Sequence, residues 1–155
     1  MASSKSIRLD PIGLVRTKAC LEELKHGDAR SEIIIERKFS KALDGIDKFS
    51  HIFVLFWMHE TRKFERKLLK VHPRHRLYIA QQGIFATRSR FRPNPIGLTV
   101  VELLKKVGNK LVVKGLDAYD GTPVLDLKPY DYWDRLDRIR VPGWWKKLEK
   151  EDRRD

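Results

Sequence analysis

Short apolar runs separated by turn residues predict a chain built mostly of β-strands. The segment EIIIE at 32–36 is compact and β-branched, which favours a strand. The segment SHIFVLFWMH at 50–59 is apolar on both alternations, which predicts a strand buried on both faces. Further strands are predicted at 7–14, with a kink at Pro11 and Gly13, and at 98–104, 111–113 and 124–127.

Turn and helix signals divide these strands. The segment VGNK at 107–110 predicts a hairpin, and DGTP at 120–123 predicts a further turn. The polar stretch 18–30 is predicted as a loop or a short helix, the basic stretch 61–71 has apolar residues at near-helical spacing, and a helix is predicted at 142–149. We therefore expect a mostly β barrel with one or two helices. It forms a single domain over 1–155, with a helical basic tail at about 135–155.

The bulk composition supports a folded core and no membrane span. The chain has 155 residues, of which 41% are hydrophobic. No apolar run approaches the ~20 residues that cross a bilayer, and the first ten residues lack the apolar core of a secretory signal. We therefore expect a cytoplasmic protein. Cys20 is the only cysteine, which excludes an intrachain disulfide and a cysteine-ligated zinc site.

The charge balance is strongly basic, and this narrows the expected partners. Lys and Arg number 33 against 21 Asp and Glu, which gives a net charge of +12. A surplus of this size makes a polyanion the leading partner class. We favour nucleic acid over a membrane surface, because the chain lacks a basic amphipathic helix with a broad apolar face. A charged fraction of 35% is also typical of thermophilic or highly soluble proteins, but the excess of one sign is not.

Several common catalytic motifs are absent from the sequence. There is no G-x-G-x-x-G after a strand and no Walker loop, which argues against a Rossmann-type site for a nucleotide or methyl donor. There is no H-x-x-x-H or H-E-x-x-H pair and no G-x-S-x-G nucleophile turn. His72 and His75 lie on either side of a proline in a basic segment, where cation repulsion disfavours metal binding. We expect no metal site.

The segment FATRSRFRPNPIGL at 85–98 is the strongest candidate for a binding loop. Its three arginines suit forked recognition of phosphate or carboxylate. Pro93 and Pro95 fix their own φ angles and hold the residues before them in extended geometry. We therefore predict a pre-shaped, positively charged loop that binds a ligand.

Imidazole and acidic side chains form two further candidate groups. His59 and Glu60 end the apolar run, where His59 either caps a backbone group or meets a polar ligand at the barrel mouth. The second group places acids beside tyrosines: Asp117, Tyr119, Asp120, Asp126 and Tyr130. These acids can hold a cationic ligand, nucleotide hydroxyls or an exocyclic amine, and one can accept a proton. Asp120-Gly121 alone is also typical of a turn.

Three tryptophans lie late in the chain among basic residues, at Trp133, Trp144 and Trp145. Aromatic rings interleaved with Lys and Arg can stack on unpaired bases. They can equally pack a C-terminal helix on the barrel, and the sequence leaves both interpretations open.

Three segments taken together resemble a known family. They are GIDKFSHIFVLFWMH at 45–59, GIFATRSRFRPNPIGLTVVEL at 83–103 and LDAYDGTPVLDLKPY at 116–130. Their order and spacing resemble the TrmO family, also called TsaA-like or YaeB-like proteins. FATRS followed by FRPNPIG is the most specific part, and the resemblance covers most of 7–133.

The resemblance implies a single-sheet β-barrel and an enzyme. TrmO proteins use S-adenosylmethionine to methylate N6 of threonylcarbamoyladenosine next to the tRNA anticodon, so the implied partners are tRNA and a second copy of the chain. The cofactor is implied to lie at the barrel mouth, partly in the dimer interface. The residues implied to bind it are His59, Glu60, Arg88, Leu98, Leu116, Asp117, Asp120 and Gly121.

The remaining candidates are expected to act on the substrate. Asp126 and Tyr130 would lie near the transferring methyl group, where either can accept the proton that leaves the nitrogen. Arg90 and Arg92 would contact tRNA phosphate or the threonyl carboxylate. Arg74 and Arg76, in a strongly basic stretch, are further candidate RNA contacts.

Two positions depart from the family's pattern. Many members carry a P-R-Q-P loop after the first strand, where this chain reads LKHGDAR at 24–30, and Glu60 stands where glutamine is common. Two alternatives therefore stay open: a non-catalytic RNA-binding barrel, and a methyltransferase that acts on a different substrate.

Overall fold

The computed structural model describes residues 6–152 and contains a closed, antiparallel barrel of six strands. The barrel strands are β1 (Gly13–Arg16), β2 (Arg30–Ile35), β3 (His51–Trp57), β6 (Ile96–Val107), β7 (Lys110–Lys114) and β8 (Pro123–Pro129), and their order around the barrel is β1-β2-β7-β6-β3-β8. A separate two-stranded sheet pairs β4 (Lys70–Val71) with β5 (Gln82–Gly83). The α-helices are α1 (Leu21–His26) and α2 (Gly143–Asp152).

The barrel closes around one apolar core. Each barrel strand contributes at least one fully or almost fully buried residue to this core: Val15, Ile33, Val54, Val101, Val113 and Val124. Because β1 pairs with β8, the closed sheet leaves no barrel strand with an unpaired edge. The predicted single-sheet β-barrel with peripheral helices is confirmed, while the assignment of 1–155 to one domain stays a prediction.

Most predicted elements appear, and three differ. The first strand begins only at Gly13, because Ile7 and Leu9 lie exposed without a partner strand. Strand β3 is buried on its inner face only, and its outward residues are half-exposed. The near-helical spacing at 61–71 gives a 3₁₀ turn at Glu65–Lys67 and then β4, because its apolar side chains face solvent instead of the barrel.

A close approach between β3 and β6 fixes part of the barrel wall. Gly97 is paired with Phe56, whose ring lies over the glycine. A Cβ atom at Gly97 would lie 2.3 Å from that ring. The glycine therefore provides the space that the buried phenylalanine fills.

Three connections emerge at one end of the barrel, which we call the loop end. They are 17–29 between β1 and β2, 58–95 between β3 and β6, and 115–122 between β7 and β8. The other end carries the short β6–β7 hairpin and the 3₁₀ turns at Arg37–Leu43 and Ile46–Lys48. Strand β8 also finishes there, and the chain then returns to place α2 against the 58–95 connection. No helix among residues 6–152 has the length and apolar character needed to cross a membrane.

Candidate functional site

A cavity of about 880 Å³ lies at the loop end, between α1, the 58–95 connection, the 115–122 connection and α2. Its walls are basic and aromatic, with contributions from Lys25, Arg74, Arg88, Arg90, His72, His75, Phe91, Tyr119, Trp144 and Trp145. No Asp or Glu stands among the described residues that line it. This composition suits a ligand with a planar ring and negative charge.

The predicted binding loop forms one wall of the cavity and is internally braced. The Thr87 hydroxyl donates to the Ile84 carbonyl oxygen at 2.9 Å and accepts from the Ser89 amide at 3.3 Å. The Ser89 hydroxyl accepts in turn from the Phe91 amide at 3.2 Å. This chain of hydroxyl bonds supplies rigidity that the two prolines alone do not.

Two contacts fix the loop to the end of β3. The Met58 amide donates to the Pro95 carbonyl oxygen at 2.7 Å, and the buried Thr61 hydroxyl donates to the Arg90 carbonyl oxygen at 3.5 Å. The loop is therefore held at the loop end by the same strand that leads into His59.

The three arginines of the loop have different environments. Arg92 donates to the carbonyl oxygens of Thr87 and Ser89, each at 3.1 Å, so its guanidinium braces the loop from inside. Arg90 lies with its guanidinium carbon 5.0 Å from the Phe91 ring centre and one nitrogen 3.8 Å from a Glu65 carboxylate oxygen.

Arg88 is the arginine best placed to meet a ligand. Its side chain is exposed and lines the cavity. Within residues 6–152 it has no hydrogen-bond or ion-pair partner. An unpaired guanidinium on a rigid loop is available for a carboxylate or phosphate.

His59 links the end of β3 to the 115–122 connection. Its Nδ1 atom lies 3.4 Å from the hydroxyl of Thr122, which is buried, and its Nε2 atom lies 3.3 Å from a Glu60 carboxylate oxygen. Thr122 is a site residue that the sequence analysis did not identify. These contacts place both predicted residues, His59 and Glu60, at the loop end.

The predicted acids of the 115–122 connection also lie at the loop end. Asp120 accepts from the Thr17 amide at 3.0 Å and pairs with an Arg16 guanidinium nitrogen at 3.4 Å. Gly121 has a φ of +75°, which favours glycine. Asp117 accepts from the Thr99 hydroxyl. The predicted turn at Asp120-Gly121 is therefore present and also carries an exposed carboxylate.

The two predicted leucines differ sharply in exposure. Leu98 lies on the outer face of β6 with 58% of its surface exposed. Leu116 is completely buried in the barrel core, so only its backbone is able to contact a ligand.

Asp126 and Tyr130, the predicted proton acceptors, do not line the cavity. Asp126 lies on β8 opposite Leu55 and pairs with the Lys128 ammonium at 2.9 Å. Tyr130 follows β8 at the opposite end of the barrel, where its ring packs against Phe53 with the ring centres 5.4 Å apart. Within one copy of the chain, these two residues therefore lie away from the loop end.

Arg74 and Arg76 lie in the connection that faces α2. Arg74 lines the cavity, and both Arg74 and His75 have positive φ angles, of 50° and 59°. Arg76 instead lies with its Nε atom 3.9 Å from a carboxylate oxygen of Glu151 in α2. Among residues 6–152 no cluster of three or more His, Cys, Asp or Glu is suited to a metal.

Comparison with known proteins identifies the family. The family model of the tRNA-methyltransferase O N-terminal domain matches residues 21–137. The chain belongs to the TrmO family. The resemblance found in the sequence is therefore confirmed, and α2 lies beyond the part of the chain that the TrmO model matches.

Individual relatives are similar to this chain over more than half of its length. A probable S-adenosyl-L-methionine-binding protein of Methanothermobacter thermautotrophicus is 44% identical over 133 residues, which are 83% of this chain and 93% of that protein. The tRNA (adenine(37)-N6)-methyltransferase of Mus musculus is 47% identical over 89 residues, which are 57% of this chain and 20% of the mouse protein.

Solved TrmO structures share the fold. The crystal structure of TrmO from Pseudomonas aeruginosa superposes with a TM-score of 0.69 and 32% identity. The match covers 89% of this chain and 62% of the Pseudomonas chain. The present chain thus spans less than two thirds of that TrmO structure and a fifth of the mouse enzyme.

Proposed function

We propose that this protein is an S-adenosylmethionine-dependent methyltransferase that methylates N6 of an adenosine in tRNA. One observation carries the proposal: a TrmO-family chain places the unpaired Arg88, on a rigid loop, in a cationic and aromatic cavity. As the specific acceptor we propose the threonylcarbamoylated adenosine next to the anticodon. The cytoplasmic location expected from the sequence stays a prediction.

The residues at the loop end fit the chemistry of the cofactor. S-adenosylmethionine supplies an electrophilic methyl group, and it carries a carboxylate, an ammonium, a sulfonium and ribose hydroxyls. Arg88 is suited to the carboxylate. Asp117 and Asp120 each accept a bond within the protein and retain lone pairs for hydroxyl or ammonium donors. Glu60, whose carboxylate lies 3.3 Å from His59 Nε2, adds a third exposed carboxylate at the loop end.

Positioning would contribute much of the rate. Methyl transfer requires the acceptor nitrogen in line with the breaking bond, and fixed alignment of two reactants lowers the entropic barrier. The braced loop at Arg88 and the His59–Thr122 contact provide fixed points for this alignment. The acceptor nitrogen also loses a proton, which requires a base within reach.

We propose a homodimer as the assembly that brings Asp126 or Tyr130 to this task. The outer faces of β3, β6 and β8 form an apolar surface that includes Leu98 and Val100, which are 58% and 40% exposed. Asp126 lies on the same surface, opposite Leu55. Burial of such a surface against a second copy favours association. Asp126 or Tyr130 would then reach the loop end of the other subunit.

The tRNA contacts are proposed to come from the cavity and its rim. The net charge of +12 favours a polyanion. Of the four arginines predicted to bind RNA, Arg74 and Arg90 line the cavity. Arg92 and Arg76 do not line the cavity, so we assign them to shaping the loop and to the contact with α2.

One observation favours the second candidate, a non-catalytic RNA-binding barrel. The cavity wall has no carboxylate among its described residues, although the cofactor's sulfonium is cationic. The carboxylates at Glu60, Asp117 and Asp120 do not line this cavity, and in the methyltransferase proposal they would supply this charge from the rest of the loop end.

Calorimetric titration of the purified protein with S-adenosylmethionine is the first test. We expect one binding site per chain. Incubation with labelled cofactor and tRNA, with and without the threonylcarbamoyl group, then identifies the acceptor. Folded protein that binds tRNA but not the cofactor would replace the methyltransferase with the RNA-binding barrel. Cofactor turnover that is independent of tRNA would indicate a different substrate.

A further inference from the structure

Helix α2 brings two adjacent tryptophans to the cavity. Trp144 and Trp145 are half-buried, and their rings meet edge to face with centres 5.5 Å apart and an interplanar angle of 62°. Both line the cavity together with Arg74, Arg90 and Lys25. We propose that these tryptophans form a stacking surface for an unpaired base of the tRNA, with the three cations placed for the flanking phosphates.

The helix is held in place by residues other than these tryptophans. Leu148 is 3% exposed and anchors the helix against the body of the protein. The Tyr78 hydroxyl donates to the Glu151 carboxylate, and the Lys147 ammonium lies 5.1 Å from the centre of the Tyr78 ring. Because α2 has these separate anchors, the accessible surfaces of Trp144 and Trp145 are available to a ligand.

The charge of the cavity wall favours RNA as the ligand of the part beside α2. Lys25, Arg74 and Arg90 contribute three positive charges, and no described lining residue is acidic. The phosphates that flank a base would be attracted to these cations. Aromatic rings beside cations are also the arrangement that binds unpaired bases without strict sequence preference.

The backbone beside α2 is consistent with a ligand-binding wall. Arg74 and His75 both adopt the left-handed backbone conformation, which residues other than glycine rarely adopt. The His72 ring contacts the Ile79 carbonyl oxygen at 2.7 Å, and the His75 ring packs against Phe91. These contacts hold the strained turn so that Arg74 and His75 border the cavity.

This inference rests on the proposed tRNA substrate and concerns a helix that the match to the family model does not include. The TrmO model ends at residue 137, six residues before α2 begins at Gly143. The helix would therefore add affinity for RNA at a cavity that Arg88, proposed for the cofactor carboxylate, also lines.

The test measures RNA binding and cofactor binding separately. The probe is a stem–loop oligoribonucleotide with the sequence of a tRNA anticodon arm and 2-aminopurine in its loop, because stacking quenches the fluorescence of this base. The variants are Trp144→Ala and Trp145→Ala, with Trp145→Phe as the conservative change. Trp133→Ala is the matched control, since Trp133 is 92% exposed and does not line the cavity.

We expect at least one alanine variant to bind the stem–loop roughly tenfold more weakly, with loss of quenching, because stacking of one base contributes on the order of 1–3 kcal/mol. Trp145→Phe should retain most of the affinity, and Trp133→Ala should bind as the unmodified protein does. Calorimetry with S-adenosylhomocysteine should give the same affinity for every variant.

Three outcomes would overturn the stacking surface. They are unchanged affinity in both alanine variants, equal weakening by Trp133→Ala, and weakening without any change in quenching. If thermal unfolding shows that an alanine variant has lost its fold, the Arg74→Gln variant is measured in its place. It should weaken stem–loop binding and reduce its salt dependence by about one phosphate contact. Absence of cofactor binding in the unmodified protein would instead contradict the proposed methyltransferase and leave the RNA result standing.

Discussion

The Tyr78 hydroxyl oxygen lies 2.7 Å and 2.6 Å from the two carboxylate oxygens of Glu151, across 73 positions of sequence. This contact joins α2 to the connection that follows β4. Lys147 and Arg76 add a cation–π contact and an ion pair around the same two residues. The position of α2 against the cavity therefore depends on a small polar cluster as well as on the buried Leu148.

Docking of α2 should weaken at alkaline pH. The hydrogen bond to Glu151 raises the pKa of Tyr78, because ionised tyrosine cannot donate to a carboxylate. A tyrosine pKa that is higher in the folded state stabilises the fold fully below the unfolded pKa of about 10 and loses this effect as pH rises through the folded pKa. Tryptophan fluorescence across this range should report the release of Trp144 and Trp145.

The matched variants for this prediction are Tyr78→Phe and Tyr132→Phe. Tyr78→Phe should weaken docking at neutral pH and remove the alkaline transition, since the donor is gone. Tyr132 is 95% exposed, so its loss should leave the transition intact. An identical transition in Tyr78→Phe would refute this role.

Arg88→Ala should weaken binding of S-adenosylmethionine by roughly ten- to a hundredfold, because a hydrogen bond to a charged group contributes about 1.5–3 kcal/mol. Arg88→Lys should recover part of this loss, since lysine keeps the charge without the fork. Calorimetry gives the affinity, and thermal unfolding should stay unchanged because Arg88 has no partner within residues 6–152. Arg138→Ala is an exposed control away from the cavity. Equal cofactor affinity in Arg88→Ala would remove Arg88 from the site.

Gly97→Ala should destabilise the barrel by about 1–3 kcal/mol, the range expected for overpacking. The added Cβ atom would lie 2.3 Å from the Phe56 ring, which is itself buried. Gly83→Ala, where nothing lies within 4 Å, should change stability by less than about 0.5 kcal/mol. Urea unfolding measures both effects. In a Phe56→Leu background the change at Gly97 should be smaller, and an undiminished effect would contradict the contact.

Val100→Asp should convert a dimer of the protein into a monomer. A carboxylate at the centre of the proposed interface would lose its water on association without gaining a partner. Val107→Asp is the control, because Val107 lies on the same strand, is 52% exposed and sits beside the hairpin at the other end of the barrel. Sedimentation measures the oligomeric state of both variants. A monomeric unmodified protein would contradict the proposed homodimer.

The barrel was largely predictable from local pattern, because its strands combine β-branched residues with clear turns. Strand β2 and the β6–β7 hairpin lie where EIIIE and VGNK predicted them. The start of β1 was not predictable, since Ile7 and Leu9 are apolar yet no neighbouring strand extends to cover them. Strand formation depends on a partner that the local sequence does not reveal.

The candidate site was predictable only as a set of residue types. The segment 85–98 was predicted to be a binding loop, and part of it lines the cavity. Its pattern does not distinguish Arg88, which lines the cavity, from Arg92, which donates to backbone carbonyls. The direction in which a loop side chain points depends on tertiary contacts, such as the hydrogen bond from the Met58 amide to the Pro95 carbonyl oxygen. The Tyr78–Glu151 contact was missed for the same reason, because nothing in the spacing of two distant residues indicates that they meet.

The walls of the cavity come from segments as far apart as Leu21 and Leu148. They come together only when the barrel has closed and α2 has docked, so the unfolded chain contains no equivalent binding surface. Any compound that occupies the cavity must therefore shift the melting temperature upward, and the shift must grow with the logarithm of its concentration once the site is saturated. Thermal-shift screening of a small-molecule collection can accordingly discover inhibitors of this protein without any assay of RNA or methyl transfer.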